Sequence, residues 1–599
     1  MRPLAQFAVG VAVALGLTAL IVAMLARDAA PVGDDPRYAV DLTPLDRTAV
    51  YAQGRVKSFD SFAKDVVGAI AGPKTYQDRP RDFLYVDMMI RPMAYADADI
   101  VYIKKAPMRR RIAETLAGDG SGVLGGPAIA SEERLERFEK TGLISPRLLA
   151  QPRVRMLFDE WRRDLIRTAK PVQAIEQALM LMEPGRLEAA LEIIPPPDGD
   201  PASPWISINE LKTGGPATAA LSAEARGDLV TSWLAFESAW RAGEAERAER
   251  ALGEFAAALP LVAPELVPDG ARMVAESWYF KLSHMTWVWV IYLLAVFFLL
   301  LASVYKWSPA RRVGMGLFGS AVFLHTVAIG WRWWVSGRWP NSNMFEAVTT
   351  AFWFGAALAV LLELGVRKTP LRNWFALGAS VSSMVAMMTA AYSPRFDWFF
   401  SLDPNIRNKM PVLHDVWLYI HTNVIIASYA LIFMAAVTSV AYMVYRLVGG
   451  AATYAKAGGT ETLMSMAAAG EGAERGGGEG GVGGSAGAAI ARRRRSGGLG
   501  SVLDGATMIL IEMSFVMLWA GIVMGAIWAD HSWGRPWGWD PKEVFALNTF
   551  LVYLVLIHVR LTAKDKGLWT AILSVIGCGV MIFNWLVINF VISGLHSYA

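Results

Sequence analysis

Trp528-Ala-Asp-His-Ser-Trp-Gly-Arg-Pro-Trp-Gly-Trp-Asp-Pro-Lys-Glu543 is the stretch on which the reading of the fold turns. It joins two apolar runs, at roughly 504–529 and 544–562, each long enough to cross a bilayer. Four tryptophans fall within twelve residues, and Gly534, Pro536, Gly538 and Pro541 interrupt them. That pattern predicts an irregular aromatic loop held at the membrane surface instead of a regular helix. Two readings are open. Tryptophans gather in interfacial belts at headgroup level, but belts are scattered, and a cluster this dense favours a flat hydrophobic platform for a large planar ligand.

Working outward, further apolar runs lie at roughly 285–304, 314–335, 345–364, 373–392, 416–445 and 569–594, and a first one at about 4–26. Together these predict nine spans, all helical, because backbone groups in lipid need partners within their own segment. The first run is flanked by Arg2 and Arg27. The small residues Ala26, Ala29 and Ala30 allow a cleavable signal peptide there, but its length favours an uncleaved anchor over residues 1–27. Basic residues sort by loop: Lys306, Arg311 and Arg312; Arg367, Lys368 and Arg372; Arg446 with Arg492 to Arg495; Arg560, Lys564 and Lys566. With a cytoplasmic amino terminus all four groups fall inside, although Arg338, Arg395, Arg407 and Lys409 face the other way. This topology puts the Trp-rich loop, the carboxyl terminus and residues 28–280 outside the cytoplasmic membrane.

The chain has 599 residues, 54% hydrophobic and 18% charged, as expected for a membrane region joined to a soluble one. Its net charge of +4 gives no reason to expect nucleic acid, since the cations sit in loops beside apolar spans. The single cysteine, Cys578, excludes disulfides, a CxxC redox pair and Cys-ligated zinc or iron–sulfur sites within the chain. Residues 28–280 show helical periodicity at 132–192 and 221–258, with proline-rich breaks at 195–204 and 260–268. They contain no histidine and no catalytic constellation, so a mainly helical docking domain is expected. Transmembrane segments fill 281–447 and 504–599. The Gly/Ala/Ser-rich stretch between them, 448–503, reads as a disordered cytoplasmic linker, its Arg492–Arg495 run facing anionic lipid.

All seven histidines follow residue 283. His325 lies inside the third span and His558 near the inner end of the eighth. An ionisable residue within a span is a functional candidate, or else hydrogen-bonding glue between helices. His421, in Leu413-His-Asp-Val-Trp-Leu-Tyr-Ile-His421, opens the sixth span, and His596 ends the ninth. Both flank the Trp-rich loop on the same face. Two imidazoles beside an aromatic platform suit six-coordinate haem iron. Zinc would call for a third ligand and HExxH-like spacing, which is absent.

These residues carry a resemblance. Trp533-Gly-Arg-Pro-Trp-Gly-Trp-Asp540-Pro-Lys-Glu543 is similar to the WGxxWxWD signature of the haem-handling proteins CcmC, CcmF and CcsA. The extension to Glu543, the preceding Gly525-Ala-Ile-Trp528-Ala and the terminal Gly594-Leu-His-Ser-Tyr598 resemble CcsA (ResC), the membrane subunit of the system II cytochrome c synthase. So do Gly337-Arg-Trp-Pro-Asn-Ser-Asn-Met-Phe-Glu346 and Trp417-Leu-Tyr-Ile-His421. The likeness covers about 285–599. A weaker one, in Gly54-Arg-Val-Lys-Ser-Phe-Asp-Ser-Phe-Ala63, is to the extracytoplasmic segment preceding CcsA in some fused versions.

The resemblance implies an all-α polytopic membrane protein that takes haem b from the cytoplasm as a transported substrate. It would hold the haem at the Trp-rich site and present it to the CxxCH motif of an apocytochrome c. His421 and His596 would be external axial ligands and His558 a ligand of incoming haem, with Trp533, Trp537, Trp539 and Asp540 lining the external site. In fused synthases a second transmembrane ligand comes from the CcsB (ResB) half. Since residues 1–283 hold no histidine, either a separate CcsB-like membrane partner supplies it or His325 takes over the role. The lone Cys578 means that substrate thiols are kept reduced by other proteins. Two alternatives accompany this reading: a CcmC-like haem relay without ligase activity, and a membrane scaffold for cytochrome assembly.

Overall fold

The structure is a computed structural model that describes residues 3–26, 35–73, 76–118, 129–164, 168–394, 400–408, 415–455 and 498–592. His414, His596 and the greater part of the Gly-rich linker, 456–497, lie outside the described residues. The chain divides into two compact units, one made of residues 1–24, 283–404 and 409–599, the other of residues 25–282 with 405–408.

Among the described residues, nine helices are long and apolar enough to cross a membrane, and all nine belong to the first unit. They are α1 (Pro3–Ala26), α2 (Trp289–Tyr305), α3 (Ser308–Ser336), α4 (Met344–Val366), α5 (Trp374–Tyr392), α6 (Val416–Leu447), α7 (Leu499–Trp533), α8 (Pro541–Thr562) and α9 (Lys566–Ile582). A π-helical turn, Phe583–Ile588, continues α9.

In lipid, helices associate through close packing of small residues and through satisfied polar groups, not through apolar burial. Both devices are present. A Cβ on Gly10 of α1 would fall 2.3 Å from the Val313 carbonyl oxygen, and one on Gly316 would fall 2.5 Å from that of Phe7, so α1 and α3 touch backbone to backbone. The buried Glu363 accepts the backbone N–H groups of Asn373, Phe375 and Ala376 at 2.8, 3.0 and 3.0 Å, which satisfies the open end of α5. Towards the end of the bundle away from the Trp-rich loop, Arg560 is clamped by Asp504 at 2.7 Å, and Arg446 pairs with Asp565 at 3.0 Å.

One expectation from the sequence is corrected. The Trp-rich stretch is not irregular throughout: α7 runs on to Trp533, and α8 begins at Pro541. No breaker precedes Gly534, which closes α7 in the left-handed conformation (φ 67°) where glycine carries no Cβ penalty. Pro541 opens α8 at its first turn, a position that needs no N–H donor. Only Gly534–Asp540 is loop.

Among the described residues the second unit is mainly helical with three two-stranded antiparallel sheets: the hairpin Ala49–Ala52 with Arg55–Ser58, then Val101–Tyr102 with Leu143–Ile144, and Glu192–Ile194 with Ile206–Ser207. Gly54–Ala63, singled out in the sequence, forms the hairpin's turn and return strand and the start of helix Phe59–Ala71. An apolar core that includes Phe59, Phe62, Tyr85, Trp233, Phe236 and Trp240 fills the unit. Asp87 at its centre accepts from Tyr95 Oη at 2.6 Å and Trp240 Nε1 at 3.0 Å and pairs with Arg91 at 2.7 Å, so its buried charge is fully engaged. Pro260, read as a break, sits in the last turn of helix Ala245–Val262.

Candidate functional site

The site grows from the contact between α6 and α7, the most extensive helix pairing in the first unit. Asp415 caps α6 by accepting the Trp417 N–H at 2.6 Å, and His421 follows within two turns. Gly521 and Gly525 lie one turn apart on α7, the small-xxx-small spacing that lets backbones approach. A Cβ on Gly525 would stand 2.6 Å from His421 Cε1 and 2.8 Å from Nδ1, so the imidazole rests on bare backbone. Its Nδ1 lies 2.7 Å from the Gly521 carbonyl oxygen. A carbonyl can only accept, so Nδ1 carries the proton, and in the neutral ring the ligating lone pair belongs to Nε2. A backbone carbonyl that sets the tautomer in this way is the usual support for a metal-binding histidine.

His421 borders a cavity of about 260 Å³ at this end of the bundle. Trp528 and Trp537, with Leu418, Ile425, Ile426 and Ile522, supply aromatic and aliphatic wall. The loop before α4 closes one side with Asn341, Ser342 and Asn343, and Tyr429, Asn584, Trp585 and Asn589 line another. That loop is held firmly. The fully buried Glu346 pairs with Arg332 and Arg338, each at 2.9 Å, and accepts the Ser342 N–H at 2.7 Å. Asn341 Nδ2 donates to Thr422 Oγ1 at 3.0 Å and Trp339 Nε1 to Asn423 Oδ1 at 2.9 Å, pinning the loop onto α6 beside His421.

The residues expected from the sequence take different positions. Trp537 lines the cavity. Trp533 is half-buried and packs edge-on against Trp528, with centroids 4.8 Å apart, behind the wall and not on it. Trp539 is 74% exposed and meets Trp537 edge-on at 6.1 Å. Asp540 is buried as the N-cap of α8 and accepts the Lys542 N–H at 3.2 Å. Glu543 reaches back to the N–H groups of Gly538 and Asp540 at 2.8 and 3.1 Å, a capping box that fixes the loop's return into the helix.

His325 is fully buried with both nitrogens engaged, Nε2 3.1 Å from the Thr349 carbonyl oxygen and Nδ1 3.2 Å from Tyr292 Oη. His558 is exposed on the outer face of α8, its Nδ1 2.8 Å from the Leu554 carbonyl. His531 is exposed at the end of α7, 3.8 Å from the Asp415 carboxylate. His596 lies outside the described residues.

Sequence reasoning passed over Trp528 as a wall, the pairing of Arg332 and Arg338 with Glu346, and the amides of Asn584 and Asn589 in and just after the π-helical turn. The available signal was charge inside apolar runs. Arg332 and Glu346 are charges set in apolar runs, which must pair.

Comparison with known proteins gives a consistent result. Residues 341–596 match the family model described as cytochrome C assembly protein. The cytochrome c biogenesis protein CcsA of Thermosynechococcus vestitus is 30% identical over 295 residues, spanning 49% of this chain and 87% of that protein. CcsA of Synechococcus elongatus is 30% identical over 283 residues, 45% of this chain and 82% of the relative. For CcsA of Prochlorococcus marinus the figures are 29% over 270 residues, 45% and 78%. With most of a relative's length covered at this identity, and with the matched region holding the cavity and its loop, the chain belongs to the CcsA family of cytochrome c biogenesis proteins.

Proposed function

We propose that the protein acts in cytochrome c biogenesis by receiving haem b, holding it in the Trp528/Trp537 cavity and presenting it for attachment to an apocytochrome c. The observation that carries this reading is His421, resting on Gly525 and locked by the Gly521 carbonyl in the tautomer whose Nε2 can ligate iron, at the edge of an aromatic-walled cavity. The donor set fits the cargo: imidazole for the iron, indole and aliphatic wall for the macrocycle. In this reading His596 supplies the opposite axial bond, and the Trp-rich loop faces the non-cytoplasmic side. The bond-forming step needs no group from this chain beyond position. A cysteine thiol of the CxxCH motif adds across a haem vinyl group, sulfur to one carbon and hydrogen to the other, giving a thioether. Other proteins keep those thiols reduced.

His558 supports a partner for the inward part of the path. It sits on the outer face of α8, where a second membrane protein of the CcsB type can bring a ligand against it, whereas both nitrogens of His325 are used within the bundle.

The test is an absorbance titration of the purified full-length protein with haem, followed by reconstitution with an apocytochrome under reducing conditions. A Soret band lost in His421→Ala and His596→Ala, together with thioether product, is the expected result. A band without product in the presence of the membrane partner identifies a relay. Absence of any band, with assembly partners still retained, identifies a scaffold and ends the proposal.

A further inference from the structure

The π-helical turn Phe583–Ile588 interrupts an otherwise regular span, and such turns recur at functional sites. It has a definite consequence for two side chains. On an α-helix, residues five apart point about 140° away from each other, at about 100° per residue. The wider π turn lessens that divergence between Asn584, inside it, and Asn589, just past it, and both line the cavity.

Each presents an amide oxygen that is buried and has no hydrogen-bond partner among the described residues. Asn584 is 4% exposed and its Nδ2 donates to Tyr429 Oη at 3.1 Å. Asn589 Nδ2 donates to the Trp585 carbonyl at 2.6 Å, while the Asn589 backbone N–H bonds Leu586. The bond to the Trp585 carbonyl fixes the orientation of the amide, and Oδ1 is left to accept. Tyr429, 5% exposed and edge-on to Trp585, accepts from Asn584, so its own proton is available to donate.

Two acceptors and one donor around a cavity define a complement. An ionised carboxylate and an ester lack a proton to give the amide oxygens. A neutral carboxylic acid has both parts, a carbonyl to accept from Tyr429 and an O–H to donate to Asn584 or Asn589. Leaving buried acceptors unmatched is unfavourable, more so within lipid. We infer that Asn584, Asn589 and Tyr429 form a subsite for a protonated carboxylic acid side chain of the bound porphyrin, so that one propionic acid group enters the cavity uncharged. This rests on the haem reading of the cavity.

The experiment titrates the full-length protein in detergent with haem and with haem dimethyl ester, reading the Soret band. The double variant Asn584→Leu/Asn589→Leu weakens haem about five- to tenfold, the loss of the one hydrogen bond the acid proton makes, and leaves the ester as in wild type. Each variant is compared with wild type for the same ligand, so the ester's greater partition into detergent cancels. Tyr429→Phe, close to isosteric and the safeguard against misfolding, weakens both ligands, because both offer a carbonyl. Equal losses for acid and ester in the double asparagine variant, or no loss for either, overturn the subsite while a His421-dependent band still upholds the haem reading. A wild-type protein without a band overturns both. Oleic acid serves as the competing lipid acid: failure to displace haem is expected, and displacement assigns the subsite to fatty acids and overturns the porphyrin assignment.

Discussion

Gly525→Ala is the smallest change that separates a positioned iron ligand from a histidine that merely packs. The added methyl would lie 2.6 Å from His421 Cε1 and 2.8 Å from Nδ1. Non-bonded carbon contacts settle at about 3.5–4.0 Å, so the ring must retreat by about 1 Å. The 2.7 Å bond to the Gly521 carbonyl then stretches past about 3.5 Å, beyond hydrogen-bond range. Removing an outer-shell partner of this kind typically weakens metal binding about 10- to 100-fold, or about 1.4–2.8 kcal/mol. Haem titration of the purified protein reads this directly, and added imidazole should restore the spectrum by occupying the misplaced ligand's position. Gly521→Ala is the control: its Cβ meets the flexible end of Ile425 at 2.5 Å, so packing is perturbed while the carbonyl acceptor is kept. The double variant Gly525→Ala/His421→Ala should bind no worse than His421→Ala alone, because both act through one bond. If Gly525→Ala titrates like wild type, or if the two losses simply add, the ring is not held for ligation and the reasoning fails.

Other substitutions report on the scaffold. Glu346→Gln leaves Arg332 and Arg338 without their shared carboxylate and should lower stability by about 3–5 kcal/mol, visible as a depressed melting temperature in detergent; an unchanged melt would deny the cluster its role. At the cap of α8, Asp540→Asn should be near neutral and Asp540→Ala should cost about 1 kcal/mol, with the haem spectrum of both like wild type. Loss of the band in Asp540→Asn would instead place this side chain at the ligand. In the second unit, burial, with Asp82 and Asp60 alongside, pushes the Asp46 carboxyl up to about 9. The folded state then keeps a proton that the unfolded chain releases from about pH 4 upward, so stability falls as pH rises from there towards 9. Asp46→Asn should make that slope shallower in melts at pH 5 and pH 8, and an unaltered slope would refute the assignment.

The nine spans were readable because lipid allows little besides uninterrupted apolar helix, and the Trp-rich loop was readable because its breakers are dense. The boundaries inside that loop were not. Pro541 reads as a breaker in isolation, and only the capping geometry of Asp540 and Glu543 turns it into the start of a helix. His421 was legible as a type of residue at the mouth of a span, but what prepares it, the Gly521 carbonyl, lies a hundred residues away and has no side chain to notice. The same holds for Asn584 and Asn589: at α-helical spacing they diverge, and nothing in the local sequence announces the π turn that lessens the divergence. The short strand pairs of the second unit match two to four residues each, too few for alternation to show.

The placement of the remaining histidines bears on how iron could be held away from the cavity. For His325 to ligate, Nε2 would have to give up the Thr349 carbonyl, or Nδ1 the Tyr292 hydroxyl, and the abandoned group would be left in the interior of the bundle. Each buried polar group stranded in that way costs about 1–3 kcal/mol. His558 carries no such obligation. Its Nδ1 is satisfied by the carbonyl one turn back, and the ring stands on a helix face left exposed among the described residues. A carbonyl at Nδ1 again assigns the lone pair to Nε2, as at His421, so the two histidines share one tautomer while one looks into the cavity and the other away from the bundle. On the function proposed above, a ligand complementary to His558 would enter from a neighbouring protein across the α8 surface, whereas His325 bonds α2 and α4 to α3.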